Sequence, residues 1–409
     1  MSGLINYLKK ISWIKLSIIL FSVIFFIFNI IYNLHVKHDQ HFSVLAESFL
    51  QGKLYFLEQY SSWWHDAVYF NGHYYWPQGP LPAVILMPFV FLFKSLNIPF
   101  YQSYVQIFFC LGVYFLIYKI SRKLRYTALD SLFLAFAFTF ATSFIGVSFW
   151  STGWFFSQVV ATFLLLAVIK EYVTEKRLWV MGILFGLILL TRVTAFLGIV
   201  FVFWQIFLDK GKNIKQRARS ALWLTSVVIP FILIFGAYNW PRFGSLFEQG
   251  YNLQMIAGNL SGAKSYGLFN TVHLPGNLYY FLIAPPEPVF RDTFSHVLIY
   301  PFIKANPWGL GILFTSPYLI YLFFLRYKGK ISAVLLLTVF VIAIPVFTYY
   351  GIGWYQFGYR YSLDFMPFLF LLFMNSYRLK YKALSPGLRG MIIFSGIFDL
   401  FLFSTIFGT

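Results

Sequence analysis

Polar residues that could do chemistry crowd the point where the first long apolar run of the chain ends. The run covers residues 13–34, and Lys15 is its only charged residue. The cluster that follows consists of His35, Lys37, His38, Asp39 and His41. Three of these, His38, Asp39 and His41, resemble a trio of metal ligands. Spacings of one and two residues at the start of a helix suit a shared tetrahedral site poorly, so we predict no metal site there.

Asp39 is also placed to begin a helix. Apolar residues recur in the stretch FSVLAESFLQG at the i, i+3, i+4, i+7 spacing of an amphipathic helix, at positions 42, 45, 46, 49 and 50. Gln40, Ser43, Glu47 and Gln51 fall on the other face. We therefore expect a helix at the membrane interface with Asp39 as its N-cap and Gly52 just after its end.

A second cluster, WWHDAVYFNGHYYWPQGPLPAVILMP, occupies residues 63–88. Asp66, beside His65, is either a loop cap or a second carboxylate that orients a substrate. The aromatic residues Trp63, Trp64, Tyr74, Tyr75 and Trp76 could stack on sugar rings and form an interfacial belt. Polar and ring-rich groups beside an apolar groove suit a sugar carried on a lipid, which favours a binding site over simple capping.

These clusters belong to a chain with the composition of a membrane protein. Of its 409 residues, 59% are hydrophobic and 11% are charged, which predicts an all-α polytopic protein rather than a soluble domain. We expect about 11 membrane spans. The apolar runs are 13–34, 101–118, 129–149, 153–169, 178–190, 195–208, 221–240, 308–325, 331–350, 362–376 and 391–408.

The formal charge of +18 is explained by topology rather than by nucleic acid. With a cytoplasmic N-terminus and alternating spans, most basic residues fall in cytoplasmic segments, as the positive-inside rule requires. Most acids, and the two long loops 35–100 and 241–307, then fall outside. We expect a single membrane domain, integral to the cell membrane, whose chemistry takes place on its extracytoplasmic face.

One short apolar run, residues 81–93, is too short for a span, and we expect a helix at the outer surface or re-entering it. The single cysteine, Cys110, excludes an intramolecular disulfide. No internal repeat or symmetry of hydropathy is evident, and the spans are nearly free of charge except for Asp399 and Arg192. A transporter would be expected to carry more ionisable residues near the middle of its spans.

Several stretches together resemble a known family. The helix FSVLAESFLQGKLYF and the segment DAVYFNGHYYWPQGPLPAVILMPFVFLF are similar to the first external loop of GT-C glycosyltransferases, integral membrane enzymes related to protein O-mannosyltransferases. GLILLTRVTAFL (186–197), YNWPRFGSLFEQGYNL (238–253) and GWYQFGYRYSLDFMPFLFLL (353–372) are similar to prokaryotic members. The resemblance extends over nearly the whole chain, but no one motif identifies the sugar.

The resemblance implies an inverting transfer of a sugar from a polyprenyl-phosphate carrier to an acceptor hydroxyl, with Asp39 at the position of the family's base. Gln40 follows Asp39, so the Asp-Glu pair of the eukaryotic mannosyltransferases is absent. The departing phosphate needs a cation, for which Arg360 is the first candidate, before Arg291 and Arg242. The alternative for Arg360 is a helix ion pair with Asp364.

The candidate substrate-binding residues are Glu47, His65, Asp66, Tyr74, Tyr75, Arg242, Glu287, Arg291 and Arg360. Among them, Glu287 and Arg291 lie in PPEPVFRDTFSH, for which a solvated loop helix is the alternative. Arg192 fits a functional role or a structural ion pair equally. The expected partners are a polyprenyl-phosphate sugar, a lipid, glycan or protein acceptor and membrane lipid, with a divalent cation left open as a cofactor. The rival functions are a transporter or flippase of lipid-linked sugar and a binding protein without catalysis.

Overall fold

A computed structural model describes residues 12–57, 66–256 and 258–407. His65, Trp63 and Trp64 lie outside the described residues. The chain is mainly helical, which confirms the predicted all-α polytopic class.

The elements follow one another as helices interrupted by two hairpins. The first half contains α1 (Trp13–His35), α2 (His41–Leu50), the hairpin of β1 (Val68–Phe70) and β2 (His73–Tyr75), α3 (Leu81–Ser95), α4 (Ser103–Lys123), α5 (Ala128–Phe140), α6 (Phe144–Ser148), α7 (Gly153–Thr174), α8 (Leu178–Leu189), α9 (Val193–Phe196), α10 (Val200–Phe207) and α11 (Ile214–Phe243). The second half contains α12 (Gly258–Lys264), α13 (Leu274–Leu282), the hairpin of β3 (Glu287–Phe290) and β4 (Leu298–Lys304), α14 (Ile312–Thr315), α15 (Lys330–Thr348), α16 (Met366–Tyr381) and α17 (Pro386–Phe407). Short 3-10 helices cover Leu197–Ile199, Thr271–His273, Pro317–Phe324 and Arg360–Asp364.

Six of the described helices are long and apolar enough to cross a membrane: α1, α4, α7, α11, α15 and α17. They coincide with six of the eleven predicted runs, and the other five runs form shorter or broken helices. The prediction of one continuous span over 308–325 is wrong. That run forms α14 and a 3-10 helix, because Pro317 follows two glycines and a serine that do not favour an unbroken helix.

Charged residues of the predicted cytoplasmic side pair with one another in the fold. Arg389 Nη2 lies 2.7 Å from Asp130 Oδ1. Arg177 donates from Nε and Nη2 to the two carboxylate oxygens of Glu171, each at 2.9 Å. Several acids and arginines of the predicted outer side, among them Asp66, Arg192, Arg360 and Asp364, line one cavity elsewhere in the fold.

The start of the first loop differs from its prediction. Asp39 is not the N-cap of α2, because its φ of 52° places it in the left-handed region and Gln40 occupies the cap position without a side-chain cap bond. The helix is also buried on more than one face: His41, Ser43 and Ser48 are buried beside the apolar residues. It is a packed element of the bundle rather than a surface helix, while Gly52 follows its end with φ +69° as expected.

The two long loops are joined by backbone pairing. Asp66 donates its N–H to the carbonyl of Met255 at 2.7 Å, and Met255 donates to the carbonyl of Ala67 at 2.9 Å. Val68 forms an antiparallel bridge with Gln254. The first hairpin therefore extends onto the second loop, and the two form one layer over the ends of the helices.

The segment PPEPVFRDTFSH is a strand and a turn, so the alternative of a loop helix is wrong. Glu287 pairs in register with Lys304 across β3 and β4, and their charged atoms lie 3.6 Å apart. Two prolines flank Glu287 and favour extended backbone, and cross-strand pairing to a later segment supplies the hydrogen bonds that a helix would have made internally.

Candidate active site

A cavity of about 500 Å³ lies beneath the layer formed by the two loops. Its walls come from the second loop, the start of α9, the end of α15 and the turn Arg360–Asp364. The polar and aromatic lining residues are Asp66, Trp154, Arg192, Thr194, Glu248, Gln249, Tyr251, Asn252, Gln254, Tyr349, Tyr350, Trp354, Arg360, Tyr361 and Asp364. Rings and hydrogen-bonding groups at the ends of membrane helices suit a ligand that is part sugar and part lipid.

Arg360 lines this cavity and carries buried donors that lack a partner. Its side chain is 6% exposed, and Nε and Nη1 have no hydrogen-bond partner among the described residues. Nη2 donates to the Tyr361 hydroxyl at 3.2 Å. The guanidinium carbon lies 5.1 Å from the centre of the Phe155 ring and 4.6 Å from that of Tyr361. A buried guanidinium held by rings, with donors left over, fits an anion such as phosphate.

Arg192 lines the same cavity, but an ion pair occupies its donors. Its Nε and Nη2 donate to the two oxygens of Asp364 at 2.9 and 3.0 Å, and Thr194 donates its hydroxyl to the same carboxylate. The side chains of Arg192 and Asp364 are 8% and 2% exposed. Arg192 is thus the ion-paired arginine, and Asp364 is occupied by it rather than by Arg360, which was the predicted alternative.

Asp66 is the predicted carboxylate that reaches the cavity. Its Oδ2 accepts a hydrogen bond of 2.9 Å from Nε1 of Trp154, which comes from the first turn of α7. Its φ of 73° is left-handed, a conformation that aspartate tolerates better than most residues, and the backbone bonds to Met255 hold it there. The carboxylate is therefore oriented by both loops and by a membrane helix.

Asp39 lies outside the residues that line the cavity. Its Oδ2 is 2.8 Å from His38 Nδ1, and its side chain is 54% exposed. His41 donates from Nδ1 to the Asp39 carbonyl at 3.0 Å and stacks on Trp76 with the ring centres 4.0 Å apart. Trp76 in turn contacts Trp154, with ring centres 4.9 Å apart, and so leads to Asp66.

The pKa values of the two histidines beside Asp39 shift in opposite directions. Burial lowers the pKa of His41 to about 4, so its imidazole is neutral at pH 7. The hydrogen bond to Asp39 raises the pKa of His38, which is half exposed. Asp39 therefore contacts two different histidines. It stabilises the charged imidazolium of His38, whereas the imidazole of His41 stays neutral.

Three further predicted site residues lie outside the cavity, in or next to the first hairpin: Arg242, Tyr74 and Tyr75. Arg242 is buried, donates to the carbonyl of Trp76 and lies 5.6 Å from the ring centre of Tyr75. Tyr74 accepts a backbone hydrogen bond from Phe56 at 2.9 Å. None of the three lines the cavity, so the geometry gives Arg242 a packing role below the first hairpin.

The remaining predicted residues lie elsewhere. Glu47 forms an ion pair with Lys94, which joins α2 to α3. Glu287 pairs with Lys304 and Arg291 begins the turn of the second hairpin, both apart from the cavity. His65 lies outside the described residues.

Tyr251 is a cavity residue that the sequence did not single out. It lies in the second loop, where burial raises the pKa of its hydroxyl to about 12, and its ring centre is 6.2 Å from that of Trp154. A tyrosine in a chain with 29 tyrosines gives no signal by type. Only its place within the segment YNWPRFGSLFEQGYNL could have drawn attention to it.

In residues 12–57, 66–256 and 258–407 no three His, Cys, Asp or Glu side chains gather as metal ligands. The cavity does hold three carboxylates in its walls, Asp66, Glu248 and Asp364, together with two arginines.

No known family profile and no curated protein sequence matches the chain. Several solved chains resemble it, and two illustrate the likeness. One is the archaeal oligosaccharyltransferase AglB from Archaeoglobus fulgidus in complex with an inhibitory peptide and a dolichol-phosphate, with 13% identity and a TM-score of 0.48 over 96% of this chain and 56% of that one. The other is an Archaeoglobus fulgidus oligosaccharyltransferase tethered to an acceptor peptide containing the NVT sequon, with 13% identity and a TM-score of 0.46 over 97% and 54%. The chain thus spans about half the length of both, and likeness of this size identifies neither a family nor a function.

Proposed function

We propose that this polytopic membrane protein is a glycosyltransferase of the GT-C type that transfers a sugar from a polyprenyl-phosphate carrier to an acceptor hydroxyl on the outer face. The observation that carries the proposal is Arg360, a buried guanidinium with two nitrogens unpartnered among the described residues, in the wall of a cavity. The stretches that resemble GT-C enzymes supply this arginine, Arg192 and the cavity segment around Tyr251.

The reaction is a single displacement at the anomeric carbon. The acceptor oxygen attacks that carbon, the bond from carbon to the phosphate oxygen breaks, and the bonding pair leaves with the polyprenyl phosphate. A carboxylate takes the proton of the acceptor hydroxyl. The configuration at the anomeric carbon is inverted, and atoms and charge balance without another reactant.

Arg360 has the role of binding the phosphate and stabilising the negative charge that grows as the phosphate leaves. Its Nε and Nη1 are the donors left without a partner among the described residues, and the rings of Phe155 and Tyr361 fix the plane of the guanidinium. The pair Arg192–Asp364 holds the start of α9 against the turn that carries Arg360, so it positions the cation rather than contacting the phosphate.

Two carboxylates compete for the role of base, and each is favoured by a different observation. Asp66 lines the cavity and is oriented by Trp154. Asp39 matches the position of the base in the resembling family, and its neighbour His41 contacts the cavity layer through Trp76. In the proposal one of them removes the proton and the other orients the acceptor or its loop.

The test is transfer in proteoliposomes from a panel of radiolabelled polyprenyl-phosphate sugars, with lipid and cell-envelope extracts as acceptors. We expect label to move in the wild-type protein and to be lost in Arg360→Gln, with Arg291→Gln as the matched control because that arginine is on the distant hairpin. Binding of labelled donor is measured in parallel. Donor that binds and crosses the bilayer without transfer would replace the proposal with a flippase, and binding alone with every acceptor would indicate a carrier-binding protein.

A further inference from the structure

The hairpin of β3 and β4 exposes apolar side chains on both of its faces. Phe294 in its turn is 92% exposed, and Tyr300 on β4 is 81% exposed. The other exposed apolar residues are Phe290, Val297, Leu298, Ile299 and Phe302. An antiparallel sheet in water turns one polar face to the solvent, and a lone two-stranded hairpin is only marginally stable there. This hairpin therefore needs an apolar cover.

The hairpin leaves the bundle at one end of a membrane-spanning helix. Ala305, directly after β4, donates its N–H to the hydroxyl of Thr405 in the last turn of α17 at 3.0 Å. The opposite end of α17 carries Arg389, which pairs with Asp130. Trp354 and Tyr355 are exposed at the same level as the hairpin base, and Tyr355 donates to the carbonyl of Ile406. Exposed tryptophan and tyrosine at a helix end are typical of the boundary between membrane and water.

The polar groups of the hairpin are largely satisfied within it. Asp292 accepts the N–H groups of Phe294 and Ser295 at 2.9 and 2.6 Å and also the Ser295 hydroxyl. At the base Glu287 pairs with Lys304. The outer edges of the strands still carry backbone groups, which the hydrocarbon core would leave without partners but the hydrated boundary layer satisfies.

We propose that the β3–β4 hairpin lies in the boundary layer of the lipid leaflet at the Thr405 end of α17, anchored by Phe294 and Tyr300. The aromatic rings lie among the upper acyl segments, and the charged groups Arg291, Asp292 and Lys304 stay at the level of the lipid headgroups. The inference depends on the exposure and position of the hairpin and is independent of the proposed transferase activity.

The full chain in liposomes offers a direct test, because its single cysteine, Cys110, is buried and does not compete for a thiol label. Phe294→Cys and Tyr300→Cys are each labelled with an environment-sensitive fluorophore. Phe394→Cys, exposed in the middle of α17, serves as the lipid-facing control, and Ser261→Cys on the polar helix α12 serves as the water-facing control. Emission is measured with phospholipids that carry a nitroxide near the headgroup and, separately, with iodide in the water.

We expect the labels at 294 and 300 to lose more emission with the headgroup nitroxide than the label at 394, which lies deeper in the bilayer. We also expect them to be protected from iodide compared with the label at 261. Strong quenching by iodide together with weak quenching by the nitroxide lipid would overturn the proposal. Protection from both quenchers would also overturn it, because it would mean that a protein surface, such as a second copy of this chain, covers the hairpin.

Discussion

The start of the first loop and the wall of the cavity carry the same kinds of side chain under different conditions. In the first loop Asp39 and His38 pair at 2.8 Å while both are more than half exposed. In the cavity Arg192 and Asp364 pair at 2.9 Å while almost fully buried, and Arg360 stands nearby with unfilled donors. An exposed pair contributes little to stability, whereas a buried charge must be matched by a partner or by a ligand. Under the proposed function, burial and partners, rather than clustering in the sequence, distinguish a charge that serves the fold from one that binds a ligand.

The largest expected effect is on turnover, and it distinguishes Asp66 in the cavity from Asp39 in the first loop. If Asp66 is the base, Asp66→Asn lowers the turnover by roughly 10²- to 10⁴-fold, and Asp39→Asn has a much smaller effect. If Asp39 is the base, Asp39→Asn has the large effect on turnover and Asp66→Asn has the small one. Initial rates of transfer at saturating donor measure both, and asparagine at either site tolerates the left-handed backbone, so folding is retained. Near-normal rates in both variants would remove the carboxylates from the mechanism.

The next effect concerns the two arginines of the cavity. Arg360→Gln is expected to reduce transfer about 10²- to 10³-fold by removing charge stabilisation from the departing phosphate, while thermal stability changes little. Arg360→Lys should recover only part of the rate because an ammonium keeps the charge but not the fixed planar donors of the guanidinium. Rates and melting of the purified protein are compared, and a variant that melts early but transfers normally would assign Arg360 to the fold.

Breaking the Arg192–Asp364 pair tests whether this buried ion pair stabilises the fold. Asp364→Leu leaves a buried guanidinium without its carboxylate and is expected to destabilise the protein by about 3–5 kcal/mol. The double variant Arg192→Met with Asp364→Leu should regain much of that loss, since no charge is left unpaired. Thermal melting in detergent gives both values. A double variant no more stable than Asp364→Leu alone would mean that the charge is not the cause.

His41 predicts a dependence of stability on pH. Its pKa is about 4 in the folded protein against an ordinary value of 6.5, so the unfolded chain binds the proton more readily below pH 6.5. The contribution of His41 to the free energy of unfolding is therefore highest above pH 6.5 and decreases as the pH falls toward 4. The decrease between pH 7 and pH 5 is roughly 2 kcal/mol. Melting curves of the wild type and His41→Gln should converge at low pH. Parallel curves at all pH values would show that His41 does not titrate in this way.

A glycine beside the first loop gives the smallest effect. A Cβ on Gly153 would lie 2.6 Å from His41 Nδ1 and 2.8 Å from the Trp76 ring, so Gly153→Ala should force the stack apart and cost about 1–3 kcal/mol. Gly258→Ala, whose added Cβ meets nothing within 4 Å, is the matched control and should be neutral or slightly stabilising. Equal melting of the two variants would show that the stack is adaptable.

Much of the fold follows from the sequence because apolar runs and the distribution of basic residues act locally. They predict helices at the right places, and residue type and position select Asp66 and Arg360, which the structure places in the wall of one cavity. The partner of Arg192 could not be predicted, since Asp364 is 172 positions away and sequence gives no distance between loops. Likewise, cross-strand pairing with a later segment turned an expected loop helix into β3.

The pairing of Asp66 with Met255 also bears on how the molecule is made. A membrane chain is inserted from its N-terminus onward, yet the cavity draws on residues from Asp66 to Asp364. The first hairpin therefore remains without its partner segment while nearly 200 further residues and several membrane helices are synthesised. A chain released early would have its first loop and an incomplete cavity.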